Sequence, residues 1–110
     1  MSKGILIALS NPVSPESEDE FNRWYSEVHG REVLELPGFA SLTRYRAQAQ
    51  VVPPSDAELK FRYLALYELD DVDQAVKSLA EGASKFTMSD TVDLANAQGF
   101  TFVKISSTKD

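Results

Sequence analysis

Two short runs of this chain leave no side free to face water. Gly4 to Leu9 reads G-I-L-I-A-L and Arg62 to Leu69 reads R-Y-L-A-L-Y-E-L, with apolar residues at odd and even positions alike. Side chains alternate across a strand, so each run is expected to be a central strand whose two faces are both covered. Ser10-Asn11-Pro12 closes the first and Asp70-Asp71 the second, as turn and cap residues do.

Between them lies a strongly marked amphipathic helix. Phe21, Trp24, Tyr25 and Val28 recur at i, i+3, i+4 and i+7, which commits one face to a core. Ser14 is placed to cap it, Pro15 suits the first helical position, and Glu16, Glu18, Asp19 and Glu20 load the first turns with the charge an N-terminal dipole favours. Gly30 is the expected left-handed terminator, which would put His29, the chain's single histidine, on the last turn. Arg31 to Leu36 then reads as a short helical turn returning to the sheet before Pro37-Gly38.

The rest follows in order. Phe39 to Gln50 alternates, with Phe39, Ser41, Thr43 and Tyr45 on one side and Ala40, Leu42, Arg44 and Arg46 on the other, as a strand does. Val51 to Lys60, with Pro53-Pro54-Ser55-Asp56, reads as an exposed and mobile loop. After the Arg62 to Leu69 strand, Asp70 and Asp71 offer caps for a helix carrying Val72, Ala75, Val76, Leu79 and Ala83, ending near Phe86. Thr87 to Gln98 reads as a loop with a helical turn, Gly99 to Ser106 as a last strand, and the tail from Ser107 as frayed.

This order is β-α-β-β-α-β, the ferredoxin-like α+β plan, with both helices on one face of a four-stranded antiparallel sheet. At 110 residues and 43% hydrophobic content the chain suits one domain spanning 1–110. Two helices cover one sheet face only, yet the central runs are apolar on both. The uncovered face would exceed the ~300–600 Å² patch usual on a soluble monomer, and the sheet of a second subunit is the simplest cover.

A net charge of −6 opposes contact with nucleic acid or an anionic membrane surface. The absence of cysteine removes disulfides, thiolate nucleophiles and cysteine metal sites. No basic leader precedes an apolar run, and no run approaches the ~20 residues of a membrane span, so a soluble cytoplasmic protein is expected. The glycine-rich phosphate loop, the G-x-S-x-G elbow and H-E-x-x-H are absent, and one histidine without cysteine does not suit zinc or haem. The carboxylates of Glu16 to Glu20 read as a solvated helix start.

The run F-N-R-W-Y-S-E-V-H, then L-P-G-F, then a strand with Arg44-Tyr45-Arg46, resembles the dimeric α/β-barrel superfamily, and within it the EthD-like and polyketide-cyclase-like small proteins. The likeness covers nearly the whole chain, and its most specific part is W-Y-x-x-x-H followed by L-P-G-F. EthD-like sequences commonly follow that histidine with a leucine-proline pair, whereas Gly30-Arg31 follows here. The resemblance implies a homodimer whose sheets pack into a barrel. Such families include cofactor-free monooxygenases, cyclases, isomerases and lyases, and proteins without an assigned reaction.

His29 is the one side chain whose unperturbed pKa suits acid-base work near pH 7. Two readings stand: a catalytic acid or base, or a structural cap on the carbonyls of its own helix. The resemblance favours the first. Trp24 and Tyr25 serve a core, a pocket wall, or both. Asn11 either turns its amide into a cleft or makes an Asx-type turn. Arg44 is a candidate for holding a substrate oxyanion or carboxylate, the alternative being an exposed strand residue or an ion pair. Tyr67 and Glu68 point to opposite sheet faces, so only one of them enters a given pocket. Expected is a cofactor-free, metal-free enzyme of lyase, isomerase or cyclase type. Its substrate would be a small apolar carbonyl or aromatic compound held by Asn11, Trp24, Tyr25, Arg44 and Tyr67, with His29 catalytic. A non-catalytic ligand-binding or accessory protein and a cofactor-independent monooxygenase are the alternatives.

Overall fold

The structure is a computed structural model that describes residues 2–52 and 59–108. The proline-containing part of the expected mobile loop, residues 53–58, lies outside the described residues. Four strands, β1 Gly4–Ser10, β2 Phe39–Arg46, β3 Tyr63–Leu69 and β4 Gln98–Val103, form one antiparallel sheet in the order β2-β3-β1-β4. The two doubly apolar runs are therefore the two central strands, as their composition requires. The edge strands are shorter than the sequence pattern predicts, β2 ending at Arg46 and not Gln50, β4 at Val103 and not Ser106. The ferredoxin-like α+β fold is the result. No helix among the described residues is long and apolar enough to cross a membrane.

The first helical run does not stop at Gly30. A single turn at Pro15–Ser17 leads into α1 Glu18–Trp24, a π turn at Tyr25–His29, and α2 Gly30–Leu34 without a break. Gly30 has a right-handed φ of −59°, and its N–H bonds the carbonyl of Tyr25, five residues back. Its smallness serves packing. Leu42 of β2 lies so close that a Cβ at Gly30 would overlap its side chain and stand 2.8 Å from the Tyr25 carbonyl oxygen. The sequence expectation of a left-handed terminator is thus corrected, and with it the placement of His29 on a last turn, where it would have capped carbonyls. At the helix start Ser14 has the extended backbone of a cap, but its hydroxyl meets Ser17 Oγ at 2.9 Å and bonds no helical N–H.

The left-handed position is Gly38, with φ 98°. It lies against α3 Val72–Gly82, so that a Cβ there would be 2.6 Å from Ala75 N. The turn also accepts the Asp70 N–H on the Gly38 carbonyl at 3.1 Å. Just after it, a bulge at Ala40 breaks the strict alternation expected of β2. Phe39 pairs with Leu69 and Ser41 with Glu68, which puts Phe39 on the helix-covered side with Leu42 and Arg44. Asp71 caps α3 by accepting the Gln74 N–H at 3.1 Å, and a turn at Ala83–Lys85 carries the chain to Phe86. The following segment is tied back to the β1 end by Val13 N–H to Thr91 O at 2.8 Å and Asp93 N–H to Asn11 O at 3.0 Å.

Both helices lie on one face, over Leu6, Tyr63, Ala65, Tyr67 and Leu69, and the stripe predicted from periodicity is buried there, Phe21 completely. On the other face Ile7 stands between Leu66 and Phe100, Ile5 beside Phe102, and Leu64 between Leu9 and Tyr45. Phe100 and Phe102 are each 49% exposed there, so an apolar sheet face is left open within one chain.

Gly38→Ala is expected to lower stability by roughly 2–4 kcal/mol, because strain at positive φ adds to a clash with α3 backbone that cannot move aside. The midpoint of urea unfolding measures it, and a midpoint equal to wild type would mean that the turn relaxes freely.

Candidate functional site

A cavity of about 530 Å³ lies between the first helical run, the helix-covered face of the sheet, and α3. The π turn shapes it. A turn one residue wider than an α-turn sets residues 24, 25 and 29 side by side, so the imidazole of His29 stacks on Trp24 at 4.8 Å and 15° and meets the edge of Tyr25 at 5.0 Å. Phe86, arriving from the end of α3, closes on the same imidazole edge-on at 5.3 Å. Tyr25, His29, Phe86 and Tyr67 line the cavity, with Val33, Phe39 and the Gly99–Thr101 stretch of β4.

Two polar groups here are unsatisfied. Among the described residues, the side-chain atoms buried without a hydrogen-bond partner are His29 Nδ1 and Tyr67 Oη in the cavity and Arg44 Nε outside it. No acceptor holds the His29 ring at Nδ1; aromatic contacts hold it instead. Burial lowers the pKa of His29 from its ordinary value, against a smaller opposite pull from the Glu32 carboxylate. Burial likewise pushes Tyr67 far up, reinforced by the Tyr25 phenol, which lies near its hydroxyl without forming a hydrogen bond of good geometry, and opposed by Arg44. Tyr25 is raised as well, mainly by burial. At neutral pH the cavity therefore presents a neutral imidazole and a neutral phenol. None of its lining residues carries a charge.

The other candidates from the sequence stand elsewhere. Trp24 backs His29 from behind and sends its indole N–H to the Thr87 carbonyl at 2.8 Å. Arg44 lies on the far side of Tyr25, its guanidinium 4.5 Å over that ring and 5.5 Å from the Tyr63 centroid. It donates to Asn22 Oδ1 at 2.9 Å and Ser26 Oγ at 3.1 Å, and pairs with no carboxylate among the described residues. Burial lowers its pKa while the three tyrosines partly offset this. Arg44 thus joins helix to sheet from within the fold and is not among the residues lining the cavity. Asn11 ties the end of β1 to the segment entering β3, its Nδ2 donating to Lys60 O at 3.0 Å and its Oδ1 accepting Arg62 N–H at 2.7 Å. It too is outside the cavity, and its amide is committed to backbone rather than turned into a cleft. Glu68 faces the open side, opposite to Tyr67, as alternation requires.

The sequence pattern does not single out Glu32 and Thr87. The Glu32 carboxylate accepts the Thr87 N–H at 2.8 and 3.1 Å and its hydroxyl at 2.8 Å, which fixes the segment carrying Phe86. The one available signal is that Glu32 follows His29 by three residues on the same helix. A second depression of about 440 Å³, lined by Lys3, Glu68, Asp70 and Lys104, lies at the rim of the open face and gathers none of the candidates but Glu68. Among the described residues no group of three or more histidine or carboxylate side chains is arranged to hold a metal ion.

Solved structures share this architecture. HapK from Hahella chejuensis superposes with a TM-score of 0.59 at 13% identity over 97% of each chain. A Bacillus cereus protein described as an antibiotic biosynthesis monooxygenase gives 0.57 at 14% over the full length of both. A Bacillus halodurans C-125 protein of the ethyl tert-butyl ether degradation (EthD) family gives 0.53 at 15%, over 97% of this chain and 100% of that one. No protein-family model matches the chain, and no curated protein does. The EthD-like resemblance read from the sequence is thus met by a likeness of fold.

The lowered pKa of His29 has a consequence for stability. Its folded value lies below its unfolded one, so between the two the unfolded chain binds more protons and stability falls as pH falls. The contribution is complete above the ordinary value of about 6.5 and is lost as pH drops through it towards the folded value. Urea midpoints should decline on acidification from about pH 7 to about pH 5.5, a window above the carboxylates, and His29→Gln should flatten that decline. NMR titration of the ring should give a pKa under the ordinary value; a raised one would contradict the buried placement.

Proposed function

We propose that the chain forms one domain of a soluble homodimeric enzyme that needs no cofactor and acts on a neutral, largely apolar carbonyl or aromatic compound by proton transfer. The observation that carries this reading is the cavity itself. Its lining has no charged residue, and its two unsatisfied groups, a neutral imidazole and a neutral phenol, are complementary in chemistry. Tyr67 donates its O–H to a substrate carbonyl oxygen, and its raised pKa keeps that proton in place. His29 accepts the proton of a carbon next to that carbonyl, which leaves an enol or enolate, and its imidazolium returns the proton at the same or another carbon. Isomerisation, cyclisation and elimination all begin with that step. Trp24 and Tyr25 hold the imidazole, while Arg44 and Asn11 act through the fold.

A monooxygenase is the second reading, supported by the description of the Bacillus cereus neighbour. It predicts uptake of dioxygen with a quinol-like substrate, where the proton-transfer reading predicts none. A non-catalytic binding protein would take the same ligands without turnover.

With aromatic methyl ketones in deuterated water, the protein should catalyse exchange at the carbon next to the carbonyl. His29→Ala is expected to slow it about 10²–10⁴-fold and Tyr67→Phe about 10²–10³-fold. Equal rates in wild type and His29→Ala would remove the histidine from the chemistry.

The dimer part of the reading has its own test. Covering about 800 Å² per partner at roughly 25 cal/mol per Å² gives a gross term near 20 kcal/mol per subunit before association costs. Sedimentation at micromolar concentration should give twice the chain mass, and Ile7→Glu, in the middle of the open face, should give a folded monomer. A wild-type monomer would end the barrel assembly.

A further inference from the structure

Thr87 is exposed, yet every polar group it has is engaged by the first helical run. Its N–H and hydroxyl go to the two carboxylate oxygens of Glu32 at 2.8 to 3.1 Å, and its carbonyl accepts the Trp24 indole N–H at 2.8 Å. A residue in water has no need of such partners, since solvent would satisfy it equally. What the clamp changes is the position of its neighbour. Phe86 is the residue before Thr87, it stands edge-on to His29 at 5.3 Å, and it forms the cavity wall where α3 has ended. The Ala83–Lys85 turn holds Phe86 from one side, its N–H donating to the Ala83 carbonyl at 3.3 Å, and the clamp on Thr87 holds it from the other, so the two together set where its ring lies.

We propose that Glu32 is a positioning residue of this site: through Thr87 it holds Phe86 against His29 and shuts the half-open cavity at that end, so that a ligand passes there when the clamp opens. The closure rests on the reading of the cavity as a ligand site; the positioning of Phe86 does not. Hydrogen bonds to a carboxylate are stronger than those to a neutral acceptor, which suits a catch that must hold in water. Glu32 is also the charged group that acts on the ionisation of His29, so a variant that keeps an acceptor without the charge separates the two effects.

Glu32→Ala and Glu32→Gln are the variants, both at a half-buried position whose replacement leaves the core intact. In Glu32→Ala the ring-to-ring NOE between Phe86 and His29 should weaken, and exchange of the Thr87 amide and Trp24 indole protons should become about tenfold faster. Glu32→Gln, which keeps one neutral acceptor for the Thr87 N–H, should fall between wild type and Glu32→Ala in both. With prodan, a neutral naphthyl ketone, stopped-flow fluorescence should show association and dissociation each about tenfold faster in Glu32→Ala, with affinity changed by less than about threefold. An unchanged NOE and unchanged exchange in Glu32→Ala would overturn the positioning role, and unchanged prodan rates would overturn the closure. Failure of wild type to bind prodan would overturn the ligand-site reading and closure with it, while loss of the NOE in Glu32→Ala would still uphold the positioning.

Discussion

The covered face of this sheet is organised by a continuous layer of aromatic rings with one cation set into it. Phe21 meets Tyr63 at 5.2 Å and Tyr25 at 5.9 Å, Tyr25 meets Trp24 and His29, and His29 meets Phe86. The Arg44 guanidinium lies over three of these rings, within 5.6 Å of each centroid. Aromatic edges carry positive charge and their faces negative, so rings in this arrangement attract one another, and a cation over the faces adds about 0.5–2 kcal/mol. The layer joins helix to sheet where it is densest, around Phe21. Where it thins, beyond Tyr25, the cavity begins. Packing and site are two ends of one structure, which is why Tyr25 belongs to both.

Much of the fold was legible because it depends on periods that a sequence displays directly. Doubly apolar runs became central strands, and the i, i+3, i+4, i+7 stripe became the buried face of a helix. The misses share a physical cause, since each depends on a contact between distant segments. Gly30 looks like a terminator in isolation and becomes a packing glycine only once Leu42 of the next strand lies against it. Phe39 looks like a partner of Ser41 until the bulge, set by the turn at Gly38 and the approach of α3, moves it to the opposite face.

The same holds for the site. His29 drew attention by being unique and near a buried stripe, and Tyr67 by its place on a central strand; both line the cavity. Asn11 and Arg44 have the right chemistry for ligand contacts, but what each meets is this chain's own polar and aromatic groups. Residue type suggests which partners a side chain would accept. Only the fold shows whether the chain has already supplied them. Thr87 is the converse: nothing in its type separates it from any exposed threonine, and its significance comes from a carboxylate 55 positions earlier.

The π turn also bears on how such a chain tolerates insertions and deletions. A π turn holds one residue more than the α-turn it replaces, so losing any single residue from 25 to 29 would restore an unbroken α-helix and strengthen its local hydrogen bonding. It would leave the two halves in nearly their present rotation, whereas rewinding the full-length segment as an α-helix would turn them apart by about 100°, the angle one residue occupies in an α-helix. Either Phe21 would leave the sheet, or the residues after the turn would leave the cavity. The most regular full-length helix is therefore incompatible with burying both ends of this segment, and a one-residue loss, which turns the halves of most helices apart, would here keep both ends in place and remove only the spacing that sets His29 on Trp24.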